Sequence, residues 1–254
     1  MQVVVDSLLT HYTATGKGMV VLVLHGWGDS STGMQGLTAE LAKHHQVIAL
    51  DLPGFGGTEA PKTPWGLSNY TAFVQRFLQK IDKAQVRAII GHSNGGAIAI
   101  RGLAGGSLEA DRLVLLASAG IRGEYKGRVK ALRVLTKIGK ALSAPLPASV
   151  KQKLRRKVYS SVGSDMLVAE HLQATFKKIV TDDVRQDAAK LTTPTLLIYG
   201  EQDEQTPPWM GESFHQIIKD STFLLMPGAG HFVHRDRPEQ VQKAAEEFID
   251  ARAA

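Results

Sequence analysis

The stretch Gly91-His92-Ser93-Asn94-Gly95 sets one hydroxyl between two glycines. Ser93 has three readings there: a turn residue, a helix cap or a nucleophile. A serine hydroxyl is a weak nucleophile near neutral pH, so the third reading needs a base and a carboxylate to orient that base. Later segments offer both. Gly200-Glu201-Gln202-Asp203, followed by Glu204, carries acids, and Pro227-Gly228-Ala229-Gly230-His231 ends on an imidazole with His234 close behind. Asp203 closes a G-x-x-D spacing, and His231 directly follows a Gly-rich turn; these two are preferred over Glu201, Glu204 and His234. A fourth segment, His25-Gly26-Trp27-Gly28, could bring the backbone N–H of Trp27 to a carbonyl oxygen also met by the N–H of Asn94. Losing one such donor typically costs about 10²–10³ in rate.

These groups need elements to hold them. Short, nearly continuous apolar runs read as strands: Val20–Leu24, Val47–Leu50, Ala88–Ile90, Leu113–Leu116, Thr195–Tyr199 and Phe223–Met226. Continuity rather than alternation is expected when both faces of a parallel sheet are covered. Helical patterns lie between them, at about 33–43, 68–83, 94–103, 209–219 and 238–252. The last two open with Pro near the first turn, a favoured place for it. Strands alternating with helices predict an α/β fold with a mostly parallel sheet. Val3–Thr13 is expected to form one antiparallel edge strand. Each candidate group then sits just past the C-terminal end of a strand, the edge that carries sites in open α/β sheets. The setting of Ser93, strand then turn then small-residue helix, is that of a nucleophile elbow, and Ser…Asp…His is the chain order that goes with it.

The alternation stops near Ile121. From 121 to 190 the pattern is helical, broken by Ala144-Pro145-Leu146-Pro147-Ala148. This segment reads as a helical insertion (121–190) between two parts of a core (1–120 and 191–254).

Taken together, "HGWGDS" at 25–30, "DLPGFGGT" at 51–58, "GHSNGG" at 91–96, "GEQD" at 200–203 and "GAGHFVHRDRPE" at 228–239 resemble the α/β-hydrolase family, in order and over almost the whole chain. The resemblance implies an eight-stranded, mostly parallel sheet flanked by helices, with a helical lid inserted after the sixth strand. It implies Ser93 as nucleophile, His231 as base, Asp203 as its orienter, and Trp27 and Asn94 as oxyanion donors. The neighbouring His25, Gly26, His92 and Phe232 are candidate substrate contacts. His25 is also read as a loop brace, and the Trp27 indole stays open between lining an acyl pocket and simple packing. Asp51 reads as structural, fixing a turn with Gly54, Gly56 and Gly57.

The activity expected from this set is hydrolysis of a carboxylic ester of small to medium acyl chain through an acyl-enzyme. The alternatives are C–C bond hydrolysis of a ring-cleavage dienoate, lactone or amide hydrolysis, and, in a different class, a low-turnover ligand-binding receptor. Phe232 stands where the C–C branch is expected to carry Trp. Serine at 93 excludes an aspartate nucleophile. No metal or organic cofactor is expected: nine His are present, yet none falls in an H-E-x-x-H spacing, and the glycines at 54, 56 and 57 make no dinucleotide fingerprint.

Composition narrows the partners. The 254 residues contain no Cys, which excludes disulfides and thiolate chemistry. The net charge is +6, but residues 121–190 hold 16 Lys+Arg against 6 Asp+Glu, leaving 14 against 18 elsewhere. Basicity thus belongs to one segment. Aromatics at 6% and the lack of a binding motif argue against nucleic acid. Lys126, Lys130, Arg133, Lys137 and Lys140 share one helix face, and Lys151, Lys153, Arg155, Arg156 and Lys157 form a second cluster. They read as a solvated lid face or as a weak contact with an anionic surface. The N-terminus shows neither the basic nor the long apolar region of a signal peptide, so a cytoplasmic location is expected.

Overall fold

Six parallel strands form from the apolar runs; the central ones are covered on both faces, whereas the edge strand among them stays partly exposed. They are β3 (Val20–Leu24), β4 (Gln46–Leu50), β5 (Ala88–His92), β6 (Arg112–Leu116), β7 (Thr195–Gly200) and β8 (Ser221–Met226). The computed structural model describes residues 1–83, 85–122 and 170–251. With β1 (Gln2–Val5) and β2 (Leu8–Thr15) the strands make one eight-stranded sheet in the order β1-β2-β4-β3-β5-β6-β7-β8. Successive side chains enter opposite cores. Leu22 and Leu24 of β3 pack with Phe73, Phe77 and Ile98, whereas Val21 and Val23 pack with Met34, Leu37, Val241 and Ile249. The first face carries α2 (Leu67–Lys80) and α3 (Asn94–Ala104); the second carries α1 (Gln35–Leu41) and the C-terminal helix (Pro238–Asp250).

The expected single strand Val3–Thr13 is a hairpin instead. β1 pairs antiparallel with β2 from Gln2↔His11 to Val5↔Leu8, and β2 pairs antiparallel with β4. The chain turns at Asp6 and Ser7, with φ of 48° and 65°. Two positive-φ central residues make a tight hairpin turn. Asp-Ser lacks the glycine that usually announces such a turn, and the apolar residues run on across it.

Beyond β6 the chain leaves the core at Gly120 and returns beside it: the Val184 N–H donates to the Gly120 carbonyl at 2.8 Å, and the Arg122 N–H to the Asp183 carboxylate at 3.1 Å. Arg101 on α3 anchors the returning limb through Asp182 at 2.9 Å and Asp187 at 3.0 Å. The described part of this segment is helical, with a 3₁₀ turn at Glu170–Leu172, then α4 (Gln173–Ile179) and α5 (Arg185–Ala188). The basic runs Lys126–Lys140 and Lys151–Lys157, expected on a lid, lie outside the described residues. Among the described residues no helix is long and apolar enough to cross a membrane, and no cluster of His, Asp or Glu could hold a metal ion.

Asp51 ties the loops after β3 and β4 to strand β2. Oδ1 accepts the Ser31 N–H at 2.6 Å, and Oδ2 accepts the Gly57 N–H and the His11 ring, both at 2.8 Å. Burial by itself would raise the pKa of this carboxyl; the donors at Gly57, Ser31 and His11 outweigh it and hold the group below its usual value. Asp51→Ala therefore leaves several buried donors without an acceptor. It is expected to lower stability by about 2–4 kcal/mol, read as a lower urea midpoint at an unchanged slope; an unchanged midpoint would show that the network is idle.

Candidate active site

Ser93 sits in the single residue between β5 and α3, at φ 49° and ψ −115°. This conformation costs a non-glycine residue about 1–3 kcal/mol and persists only where the surroundings enforce it. They do. The Ser93 N–H donates to Leu116 of β6 at 3.0 Å, and its carbonyl accepts from Gly96 and Ala119, each at 3.0 Å. The turn is so tight that a Cβ on Gly91 would lie 2.5 Å from the Gly96 Cα, and one on Gly95 would lie 2.3 Å from the Leu24 carbonyl oxygen. Only glycine lets strand and helix approach this closely. Asn94 opens α3, so its N–H is one of the N-terminal donors with no acceptor inside the helix. Its carboxamide is buried, with no hydrogen-bond partner among the described residues.

His231 and Asp203 arrive on the loops after β8 and β7. His231 Nδ1 is 2.8 Å from Asp203 Oδ2. The loop of His231 is held by carboxylates on either side: Glu201 accepts the Gly228 N–H at 2.9 Å, and Asp236 accepts the Gly230 N–H at 2.7 Å. Glu201, a rival for the role of orienter, is thus spent on the backbone of the loop that carries His231. Asp203 is saturated. Oδ1 accepts the N–H groups of Gln205 and Thr206 at 2.8 and 2.9 Å, and Oδ2 also lies 2.7 Å from the Thr206 hydroxyl. Burial would raise the Asp203 pKa, but the bonds from His231 and Thr206 more than offset it. The carboxylate stays ionised and accepts only. His231 therefore carries its proton on Nδ1, and Nε2 keeps a lone pair able to take another.

Thr206 is a member of this site that sequence reasoning missed. Its hydroxyl lies within 3.1 Å of His231 Nδ1 and 2.9 Å of the Ala117 carbonyl as well. An Asp followed three residues on by Thr is a side-chain-capped turn; that was the available signal, and it pointed to a turn rather than to the site.

His25 and His92, both named as candidate substrate contacts, are buried and face the protein instead. His25 Nδ1–H donates to the Gly26 carbonyl at 2.7 Å, and Nε2 accepts the Leu52 N–H at 2.9 Å. The ring ties the Gly26–Trp27 loop to the loop after β4 and has no nitrogen left for a ligand. Burial pushes its pKa down, so it stays neutral in the tautomer these bonds require. His92 donates from Nε2 to the His231 carbonyl at 3.0 Å. The Trp27 indole packs on Phe55 and Phe176, with ring centroids 4.8 and 5.1 Å away. Phe232 is part-exposed beside His231 and lies under Arg235, whose guanidinium is 4.5 Å from the ring centre. His234, the rival base, is buried against His92, and burial first, with the Arg235 charge second, lowers its pKa to about 4.

The family model described as the alpha/beta hydrolase family matches residues 20–244. The 2-hydroxy-6-oxo-6-(2'-aminophenyl)hexa-2,4-dienoic acid hydrolase of Metapseudomonas resinovorans is 26% identical, over 96% of this chain and 88% of its own. A pimeloyl-[acyl-carrier protein] methyl ester esterase of Nitrosomonas europaea is 24% identical, over 91% and 95%. Among solved structures, a serine hydrolase involved in carbazole degradation superposes with a TM-score of 0.75 at 26% identity, covering 99% of both chains.

Two outcomes follow from the polar groups. His25, His92 and His234 are all held below the ordinary histidine value in the folded state. As pH falls below about 6.5 the unfolded chain takes up protons that the folded chain refuses, so stability must drop on acidification. Urea midpoints should fall steadily from pH 6.5 towards 4, by up to the order of 1 kcal/mol per group per pH unit. A flat profile there would contradict neutral buried rings. Thr206→Val removes a donor from Asp203 while keeping shape. It is expected to reduce kcat about tenfold with KM little changed, since hydrogen bonds to charged groups are worth roughly 1.5–3 kcal/mol; wild-type kcat would show the hydroxyl to be dispensable.

Proposed function

The chain belongs to the alpha/beta hydrolase family, and on that premise we propose that it is a serine hydrolase cleaving a carboxylic ester of small to medium acyl chain. The observation that carries this reading is the 2.8 Å contact between His231 and Asp203, formed beside a serine held at positive φ. In the proposed cycle Ser93 Oγ attacks the ester carbonyl as His231 Nε2 takes its proton. Asp203 stabilises the imidazolium. The N–H groups of Trp27 and Asn94 hold the oxyanion of the tetrahedral intermediate. His231 then gives its proton to the departing alcohol, leaving an acyl-Ser93 ester. Water, deprotonated by His231, attacks that ester and releases the acid and the free hydroxyl.

A compact acyl group is supported by the bulk of Trp27, which follows the Gly26 that abuts Ser93 and whose indole packs on Phe55 and Phe176. A second reading, C–C bond hydrolysis of a ring-cleavage dienoate, draws support from the 26% identity to the Metapseudomonas resinovorans enzyme. Both use the same serine, and they separate by substrate.

A p-nitrophenyl ester series from acetate to palmitate, run on the wild type and on Ser93→Ala, tests the proposal. Turnover should peak at short or medium chains and fall by about 10⁴–10⁶ in the variant. Ester turnover that survives Ser93→Ala would remove the mechanism. Absent ester turnover with consumption of a ring-cleavage dienoate would put the second reading in its place.

A further inference from the structure

His92 precedes the nucleophile, and the cycle above gives it no task. Its ring is 1% exposed. Burial, reinforced by the nearby His234 and His231, holds its pKa well below 6.5, so at neutral pH it carries one proton. The partner of Nε2, the His231 carbonyl, can only accept, which puts that proton on Nε2. Nδ1 is left as a buried lone pair without a hydrogen-bond partner. It faces Gly26: a Cβ on Gly26 would come within 2.8 Å of Nδ1 and 3.1 Å of the Ser93 Cβ. The ring also lies 4.9 Å from the His231 ring and 4.9 Å from the His234 ring, centre to centre. One side chain therefore adjoins Ser93 inside the elbow, bonds the loop of His231 and abuts the Gly26–Trp27 loop.

We propose that His92 is a positioning residue that fixes the backbone of His231 and the Gly26–Trp27 loop relative to Ser93. This rests on the reading of Ser93 as nucleophile and His231 as base. The need is geometric. Asp203 anchors the imidazole of His231 from one side, but nothing in that bond sets the distance from the base loop to the elbow. Attack requires reacting atoms about 3–3.5 Å apart, and an error of roughly 1 Å can cost 10²-fold. The His92 bond spans that gap, from the residue next to the nucleophile to the backbone of the base. The chemistry of the position is narrow. It needs a donor, because an unbonded His231 carbonyl would otherwise be left beside a buried ring. Its burial favours a neutral group. It must be flat, because Gly26 leaves no room.

The test compares His92→Phe, which keeps a ring and loses the donor, with His92→Gln, which keeps a donor at similar reach. Active sites are counted by labelling Ser93 with a fluorophosphonate, so kcat is expressed per labelled site and partial unfolding does not enter. His92→Phe should lower kcat about ten- to a hundredfold, with KM within about threefold and slower labelling. His92→Gln should recover most of the loss. Wild-type kcat per site in His92→Phe, or equal damage in both variants, would overturn the proposal. Should His92→Phe not fold, His92→Gln decides: near wild-type kcat per site supports the assignment, and a tenfold fall overturns it. A wild type that Ser93-directed reagent does not label would overturn the hydrolase reading, and this one with it.

Discussion

Between β5 and α3 the chain reverses from strand to helix across one residue, and Ser93 absorbs the change at φ 49°. A central strand and the helix after it can meet at such an angle only if nothing projects between them, which is why Gly91, Gly95 and Gly96 stand where they do. The strain is held by the sheet itself, through Leu116 on β6 and Ala119 just past it. Because β5 is flanked by β3 and β6, the loops leaving these strands all open beside Ser93. The place of the hydroxyl is therefore a property of the whole sheet rather than of a local turn.

Around that point the protein uses charged and polar side chains mostly to hold backbone. Asp51 gathers the loops after β3 and β4, Glu201 and Asp236 hold the loop of His231, and Asp203 folds its own turn before it meets the imidazole. The histidines divide in the same way. His25 and His92 are buried, neutral and bonded to carbonyl oxygens. His231 alone of these three is paired with a carboxylate. A buried neutral imidazole gives one directed donor without the cost of desolvating a charge, which suits it to bracing loops that must keep their spacing in a low-dielectric setting.

The sheet edge sets the places of Ser93, Asp203 and His231, and relatives of this chain include both a methyl ester esterase and a dienoic acid hydrolase. Near that edge the Trp27 indole packs on Phe55 and Phe176, and the Phe232 ring lies under Arg235. These aromatic contacts join segments far apart in the chain, so a substitution in one loop disturbs packing that another loop completes.

Much of the fold was legible because burial writes itself into composition. Strands covered on both faces must be apolar throughout, and β3 to β7 stood out as continuous runs, with the partly exposed edge strand β8 apolar in its second half; the helices between them kept their apolar stripes. The β1–β2 hairpin was not legible, because its turn is made by Asp6 and Ser7 at positive φ without the glycine that usually marks such a turn. Ser93, Asp203 and His231 were legible as candidates, since each follows a strand and a glycine-rich turn marks two of them. The sequence alone determined the residue types available at the sheet edge and the order in which strands deliver them. Only the tertiary structure decided how they are used: that Thr206 touches Asp203 and His231, that His25 and His92 turn inward to backbone carbonyls, and that Glu201 serves a loop. The physical reason is that a hydrogen bond depends on distance and direction over about 3 Å, and residues remote in the chain acquire those only when the sheet brings their loops together.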